Sequence, residues 1–100
     1  MKVISDHIEQ IKKLCGKHSV KSLFAFGSVT DGRFKESSDI DLVVDIDAPD
    51  PIEYTDHYFE LKFHLEQILQ REIDLLEQNA IRNPFLKQEI DRTKVLVYGR

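Results

Sequence analysis

Cysteine, proline, glycine and tryptophan are all scarce in this sequence: one, three, four and none in 100 residues. A single thiol, Cys15, excludes an intrachain disulfide and a cysteine-built zinc site. Its helical spacing from Ile8 and Ile11 predicts a buried, inert side chain. No apolar run reaches membrane-spanning length, and Met1 is not followed by the apolar core of a signal peptide. The expectation is therefore a cytoplasmic protein without a membrane partner. Neither a Gly-x-Gly-x-x-Gly nor a Walker-type loop occurs, which removes dinucleotide and P-loop readings. Basic residues are also in deficit. Fourteen Lys and Arg against eighteen Asp and Glu leave a formal charge of −4, which argues against direct nucleic-acid binding. A nucleotide substrate stays compatible with that charge, because bound Mg²⁺ supplies the missing positive charge. There is no repeat, low-complexity tract or linker, so residues 1–100 read as one small domain.

Hydrophobic spacing predicts the order α-β-β-α-β-α-β. Ile4, Ile8, Ile11 and Leu14 or Cys15 form one stripe of a helix over 5–15, with Ser5 as its cap and Gly16 as its stop. Strands are expected over 20–26 and 40–46; in the second, Ile40, Leu42, Val44 and Ile46 alternate with Asp41, Val43 and Asp45. After the break at Ala48-Pro49-Asp50-Pro51, a long helix over 52–70 carries a stripe of Tyr54, Tyr58, Leu61, Leu65 and Ile68. Ile52, Phe59 and Phe63 fall on its far side and call for a second cover, either another helix of the chain or a partner. A strand over 72–76 follows. Then comes a helix opened by Asn83-Pro84 and running to about Arg92, and a last strand over 93–98. The tight β-β link predicts an antiparallel pair and the long helix a parallel crossover. The fold class is α+β, a small mixed sheet of about four strands with packed helices.

The segment Phe24–Asp47 holds the chemistry. Gly27 and Ser28 end a buried strand. Glycine lets a phosphate approach the backbone, and the serine hydroxyl can bond it. Asp39 and Asp41 lie two apart at a strand start, so their carboxylates project to one face. Two acids held together repel unless a cation sits between them, and hard oxygen ligands favour Mg²⁺ or Mn²⁺. A phosphate grip beside a carboxylate pair is what phosphoryl transfer requires. Each piece alone has a plainer reading: Gly-Ser as a turn, Asp-x-Asp as a solvated strand end. Asp45 and Asp47 continue the acidic face and read as its solvated rim. His7, His18, His57 and His64 show no metal spacing and read as surface or boundary residues.

Gly27-Ser28, ten residues, then Asp39-Ile40-Asp41 resembles the signature of the polymerase-beta nucleotidyltransferase superfamily. The likeness is greatest to the minimal nucleotidyltransferases, the MNT or MntA-type antitoxins. The flanks agree, with a strand ending in Phe26-Gly27-Ser28 and the run Ser38 to Val44. Arg71 to Leu76 resembles the family's third strand, which places its third carboxylate at Asp74. Asn83 to Ile90 resembles the closing helix and Lys94 to Gly99 the last strand, so the resemblance covers nearly the whole chain. Where such enzymes carry an arginine-containing stretch after the serine, this chain reads Val29-Thr30-Asp31-Gly32-Arg33. Val29 offers phosphate no polar group and Asp31 repels it, leaving Arg33 or Lys35 as stand-ins.

The resemblance implies roles. Asp39, Asp41 and Asp74 are the catalytic and metal-binding residues of a two-metal site for Mg²⁺ or Mn²⁺, with Asp74 also orienting the acceptor hydroxyl. Gly27 and Ser28 hold the β- and γ-phosphates of ATP. It further implies transfer of AMP to a tyrosine of a helical HEPN-type toxin, with this chain as antitoxin. A chain this short is expected to complete its site with that partner or a second copy. Two other readings stand beside it: an antitoxin that neutralises the toxin by binding alone, and a small-molecule nucleotidyltransferase acting on an alcohol.

Overall fold

The computed structural model describes residues 1–99. Strand β1 (Val20–Phe26) pairs antiparallel with β2 (Ile40–Ile46), setting Leu23 opposite Val44 and Phe26 opposite Asp41. β2 then pairs in parallel with β3 (Ile73–Glu77), which sets Asp41 opposite Asp74. β4 (Val95–Gly99) joins the free side of β1, for a sheet order of β3-β2-β1-β4. The parallel pair needs a crossover, and α4 (Pro51–Leu69) supplies it. The predicted mixed sheet of four strands is therefore present, with the expected pairing directions.

Period-two alternation splits the sheet into two unlike faces. Leu23, Ala25, Leu42, Val44, Ile73 and Leu75 enter the main core, against Leu61, Leu65 and Leu69 of α4 and Ile11 and Cys15 of α2 (Ile8–Lys17). On the opposite face Phe26 and Val43 are buried with Ile90 of α5 (Pro84–Thr93). Asp41 alternates with Leu42 and Asp74 with Leu75, so both acids stand on this second, thinly covered face. Ile52, Phe59 and Phe63 remain 73, 62 and 56% exposed on the outside of α4, without a second cover from the described residues.

The N-terminal helix departs from its predicted form. It is broken into α1 (Lys2–Ser5) and α2, with Asp6 and His7 between. Asp6 is drawn back to Lys2 by an ion pair of 2.9 Å, and the Ser5 hydroxyl donates to the Lys2 carbonyl rather than capping the helix. Gly16 lies within α2, and the chain turns three residues later at Ser19, whose φ is 57°. Side-chain caps open the later helices, that of Asn83 as read. Asp50 accepts from the Ile52 N–H, and Asn83 accepts from those of Phe85 and Leu86.

His18, read above as a surface or boundary residue, is only 2% exposed. It follows α2 directly and is pressed onto α4, where His57, Glu60 and His64 lie three to four residues apart on one helical face. Its Nδ1 is 3.0 Å from the Nδ1 of His57, its ring stacks near His64, and its Nε2 is enclosed 3.8 Å from the Glu60 carboxylate. Burial pushes the His18 imidazole below its ordinary value. The nearby Glu60 works against this, while His57, Lys17 and His64 add to it. A depressed folded-state value means the unfolded chain takes up the proton first as pH falls. Stability should therefore be full above the ordinary value of 6.5 and decline below it. Thermal melts on either side of that value should show the decline, and His18→Gln should flatten it.

Candidate active site

The end of β1, the start of β2 and the start of β3 lie side by side, and each delivers one part of the site. Gly27 comes first. Its φ of +71° is a left-handed conformation that side-chain-bearing residues resist. A Cβ there would stand 2.9 Å from the Asp41 Oδ2. The glycine thus does two things at once: it turns the chain sharply out of the strand, and it leaves room for a carboxylate against the turn. Ser28 follows, half-buried, and opens the one-turn helix α3 (Ser28–Asp31). The Thr30 hydroxyl and N–H both bond the Gly27 carbonyl, which closes this turn on itself.

The acids come next. Asp41 and Asp74 are ladder partners, so their side chains rise next to each other at the spacing of neighbouring strands, about 4.8 Å. Asp39 precedes the strand rather than belonging to it, and is exposed. Burial pushes the half-buried Asp41 carboxyl above its ordinary range, and the Asp74 and Asp39 carboxylates push it further. The other two predicted acids therefore both act on Asp41. Among the described residues no three His, Cys, Asp or Glu side chains already close around a single point as metal ligands do. An open spacing is what mutual repulsion between the acids favours. The donor set itself, oxygen only and short of positive charge, fits a hard divalent cation such as Mg²⁺.

Two clasps hold these parts, and neither residue stood out in the sequence. Arg71, just before β3, donates through Nη1 to the carbonyls of Lys35, Glu36 and Ser38, and its guanidinium lies 4.5 Å over the Phe34 ring. It therefore pins the loop that delivers Asp39. Arg71→Met keeps much of the stem but gives up those hydrogen bonds, leaving the carbonyls to solvent. It should cost about 1–3 kcal/mol in a denaturant titration, and should speed amide exchange in residues 34–39. On the other side, Thr93 closes the last turn of α5 onto Gly27, its Oγ1 2.8 Å from the Gly27 nitrogen. A Thr followed by Lys-Val-Leu-Val reads as a strand start, which is why the sequence hid it.

Asp31 does not stand free to repel phosphate. It is locked to Arg33, whose Nη2 lies 2.7 Å from one Asp31 oxygen and 3.2 Å from Glu89 of α5. The hydrogen bond from Arg33 holds the Asp31 carboxyl below its ordinary range. Arg33 is thereby engaged as well.

A cleft of about 940 Å³ opens on the same sheet face, lined by Ser22, Phe24, Asp45, Gln78, Lys87 and Lys94 among others. It lies beyond the buried Phe26–Val43–Ile90 cluster and includes none of Gly27, Ser28, Asp39, Asp41 or Asp74. The predicted site residues thus stand at the acid end of the face, outside this hollow.

A four-stranded mixed sheet with a glycine-serine turn against paired strand acids defines a nucleotidyltransferase. The chain belongs to the polymerase beta nucleotidyltransferase family, whose model matches residues 9–100. Within that family it is similar in fold to a minimal nucleotidyltransferase. A relative from Methanocaldococcus jannaschii, provisionally named a protein adenylyltransferase, is 36% identical over 101 residues, covering 97% of this chain and all of the relative. A solved structure provisionally described as a minimal nucleotidyltransferase superposes with a TM-score of 0.74 at 26% identity, over 92% of this chain and 90% of the other. A toxin–antitoxin crystallised with AMP-PNP gives a TM-score of 0.70 at 25% identity, over 93% of this chain and 73% of that one.

Proposed function

We propose that this chain transfers AMP from ATP to a tyrosine hydroxyl of a helical HEPN-type toxin in the cytoplasm, and so acts as its antitoxin. The observation that carries the reading is the juxtaposition of the Gly27–Ser28 turn with the Asp41–Asp74 ladder pair. The protein adenylyltransferase name of the relative and the AMP-PNP-bound toxin–antitoxin pair support the nucleotide and the partner class. Asp39, Asp41 and Asp74 would hold Mg²⁺ or Mn²⁺, which when bound offsets the charge of the triphosphate and of the developing transition state. Ser28 contacts the outer phosphates, and Gly27 lets them approach. Asp74, exposed at the strand start, orients the acceptor hydroxyl and takes its proton. Residues 1–100 act as one unit, completed by the partner or a second copy.

A binding-only antitoxin is the second reading. It is favoured by the engagement of Arg33 with Asp31 and Glu89, which leaves the phosphate turn without that cation. Intact-mass spectrometry separates the two. The neighbouring gene product is co-expressed with this protein or with its Asp39→Asn/Asp41→Asn form. AMP adducts that appear only with the unmodified protein are the expected result. A stable complex without adducts in either case would leave binding alone.

A further inference from the structure

We infer that Thr93 is a positioning residue for nucleotide binding, holding the Gly27–Ser28 turn at its working distance from Asp41; this rests on the nucleotidyltransferase reading above. Thr93 is the last residue of α5 and lies 66 positions along the chain from the turn it touches. The residue is 9% exposed and its hydroxyl is doubly committed. The Oγ1 donates its one proton to the Glu89 carbonyl at 2.7 Å, and accepts from the Gly27 N–H at 2.8 Å. A hydroxyl has a single proton, so the bond to Glu89 fixes which way its lone pairs face, and one of them faces Gly27. The back-bond to the preceding helical turn is the kind Thr makes within helices; here it aims the oxygen outward at another element.

The consequence concerns what the turn can offer a phosphate. The Gly27 N–H is already spent on Thr93, so the part left to Gly27 is steric. It must stay where its missing Cβ leaves space for the Asp41 Oδ2, 2.9 Å from that position. The contact with phosphate oxygens then falls to Ser28. The placement of Ser28 is governed by the bond that fixes the residue before it. α5 is otherwise tied to this end of the sheet by apolar packing of Ile90 on Phe26 and by the exposed Arg33–Glu89 pair at 3.2 Å. Neither sets the rotation of the Gly27 peptide. Among the contacts from α5, the Thr93 bond is the one that acts on the Gly27 N–H, while the Gly27 carbonyl is held from within the turn by Thr30.

The test is Thr93→Val, which keeps shape and removes both hydrogen bonds, set beside Thr93→Ser, which keeps the hydroxyl. Binding of Mg–ATP is measured by calorimetry, and transfer by steady-state kinetics on the co-purified acceptor. The phosphate contact is made in ground and transition states alike, so Thr93→Val should raise the Kd and KM for ATP about tenfold and change kcat less than about threefold. Thr93→Ser should return both to within about threefold of the unmodified protein. A folded Thr93→Val protein with unchanged Kd overturns the inference. So does a serine variant as impaired as the valine variant, which would make the methyl group the working part. An unmodified protein that binds no Mg–ATP removes the nucleotidyltransferase reading and the inference with it. Unchanged binding in Thr93→Val alone removes only the inference. Amide exchange of the unmodified protein gives a check that needs no variant. The Gly27 N–H should be protected before and after Mg–ATP is added, and fast exchange at Gly27 overturns the inference.

Discussion

In Asp41→Asn, nucleotidyl transfer falls by about a thousandfold or more, while the melting temperature of the protein without added metal rises. The opposed signs come from one cause. Asp41 carries its charge in a half-buried place, beside Asp74 across the ladder and Asp39 two residues back. Its carboxyl is accordingly held above the ordinary range. A group whose folded-state value is raised contributes full stability below its unfolded value, 3.8, and loses it as pH rises through the folded value. At neutral pH the ionised Asp41 therefore works against the fold. Asparagine has the same outline without the charge, so it relieves that cost. A divalent cation would relieve it too. In the unmodified protein, added Mg²⁺ should raise the melting temperature, and the asparagine variant should lose most of that response. Calorimetric melts with and without metal, beside a transfer assay, check all three statements. A variant that melts lower than the unmodified protein would show Asp41 to be a structural acid and not one of a mutually repelling cluster.

The parts of the molecule legible in the sequence are those governed by short-range rules. β1 was bounded by the Gly27-Ser28 turn that ends it, β2 by alternation, α5 by the Asn83-Pro84 signal, and α4 by the break before it. Asp39 and Asp41 could be singled out from a two-residue spacing at a strand start, whereas Asp74 was named only through the resemblance of Arg71 to Leu76 to the family's third strand. What stayed hidden depends on contacts far apart in the chain. Arg71 reaches back 33 to 36 residues to three carbonyls. Thr93 reaches back 66 to one amide. His18 is buried by α4, whose His57 and His64 are 39 and 46 positions away. A hydroxyl or imidazole of this kind has no period to betray it; its partner is chosen by tertiary packing. The split of the first helix at Asp6 and His7 is another feature that its apolar spacing does not show.

Gly27→Ala should leave a folded protein that transfers at about one percent of the original rate. Two costs fall on the variant, and they differ in kind. The first is local. Alanine at a φ of +71° carries a conformational penalty of about 1–2 kcal/mol, which a domain of this size can bear. The second is a collision between the new Cβ and the Asp41 Oδ2, at 2.9 Å. For stability this clash is mild, because the atom in the way is the end of a side chain free to rotate. For function it is severe, because relief comes only by turning away the carboxylate proposed to hold the metal. A misplacement of about 1 Å at such a group is enough to cost about a hundredfold in rate. The melting temperature should thus fall by about 4–16 °C, as a loss of about 1–2 kcal/mol predicts, and kcat by about two orders of magnitude. Combining the variant with Asp41→Asn tests the mechanism. If the clash with Asp41 is what matters, Gly27→Ala adds little to the defect of Asp41→Asn, since the carboxylate it displaces is already gone. Full additivity of the two defects in a double-mutant cycle would instead assign the role of Gly27 to the turn alone.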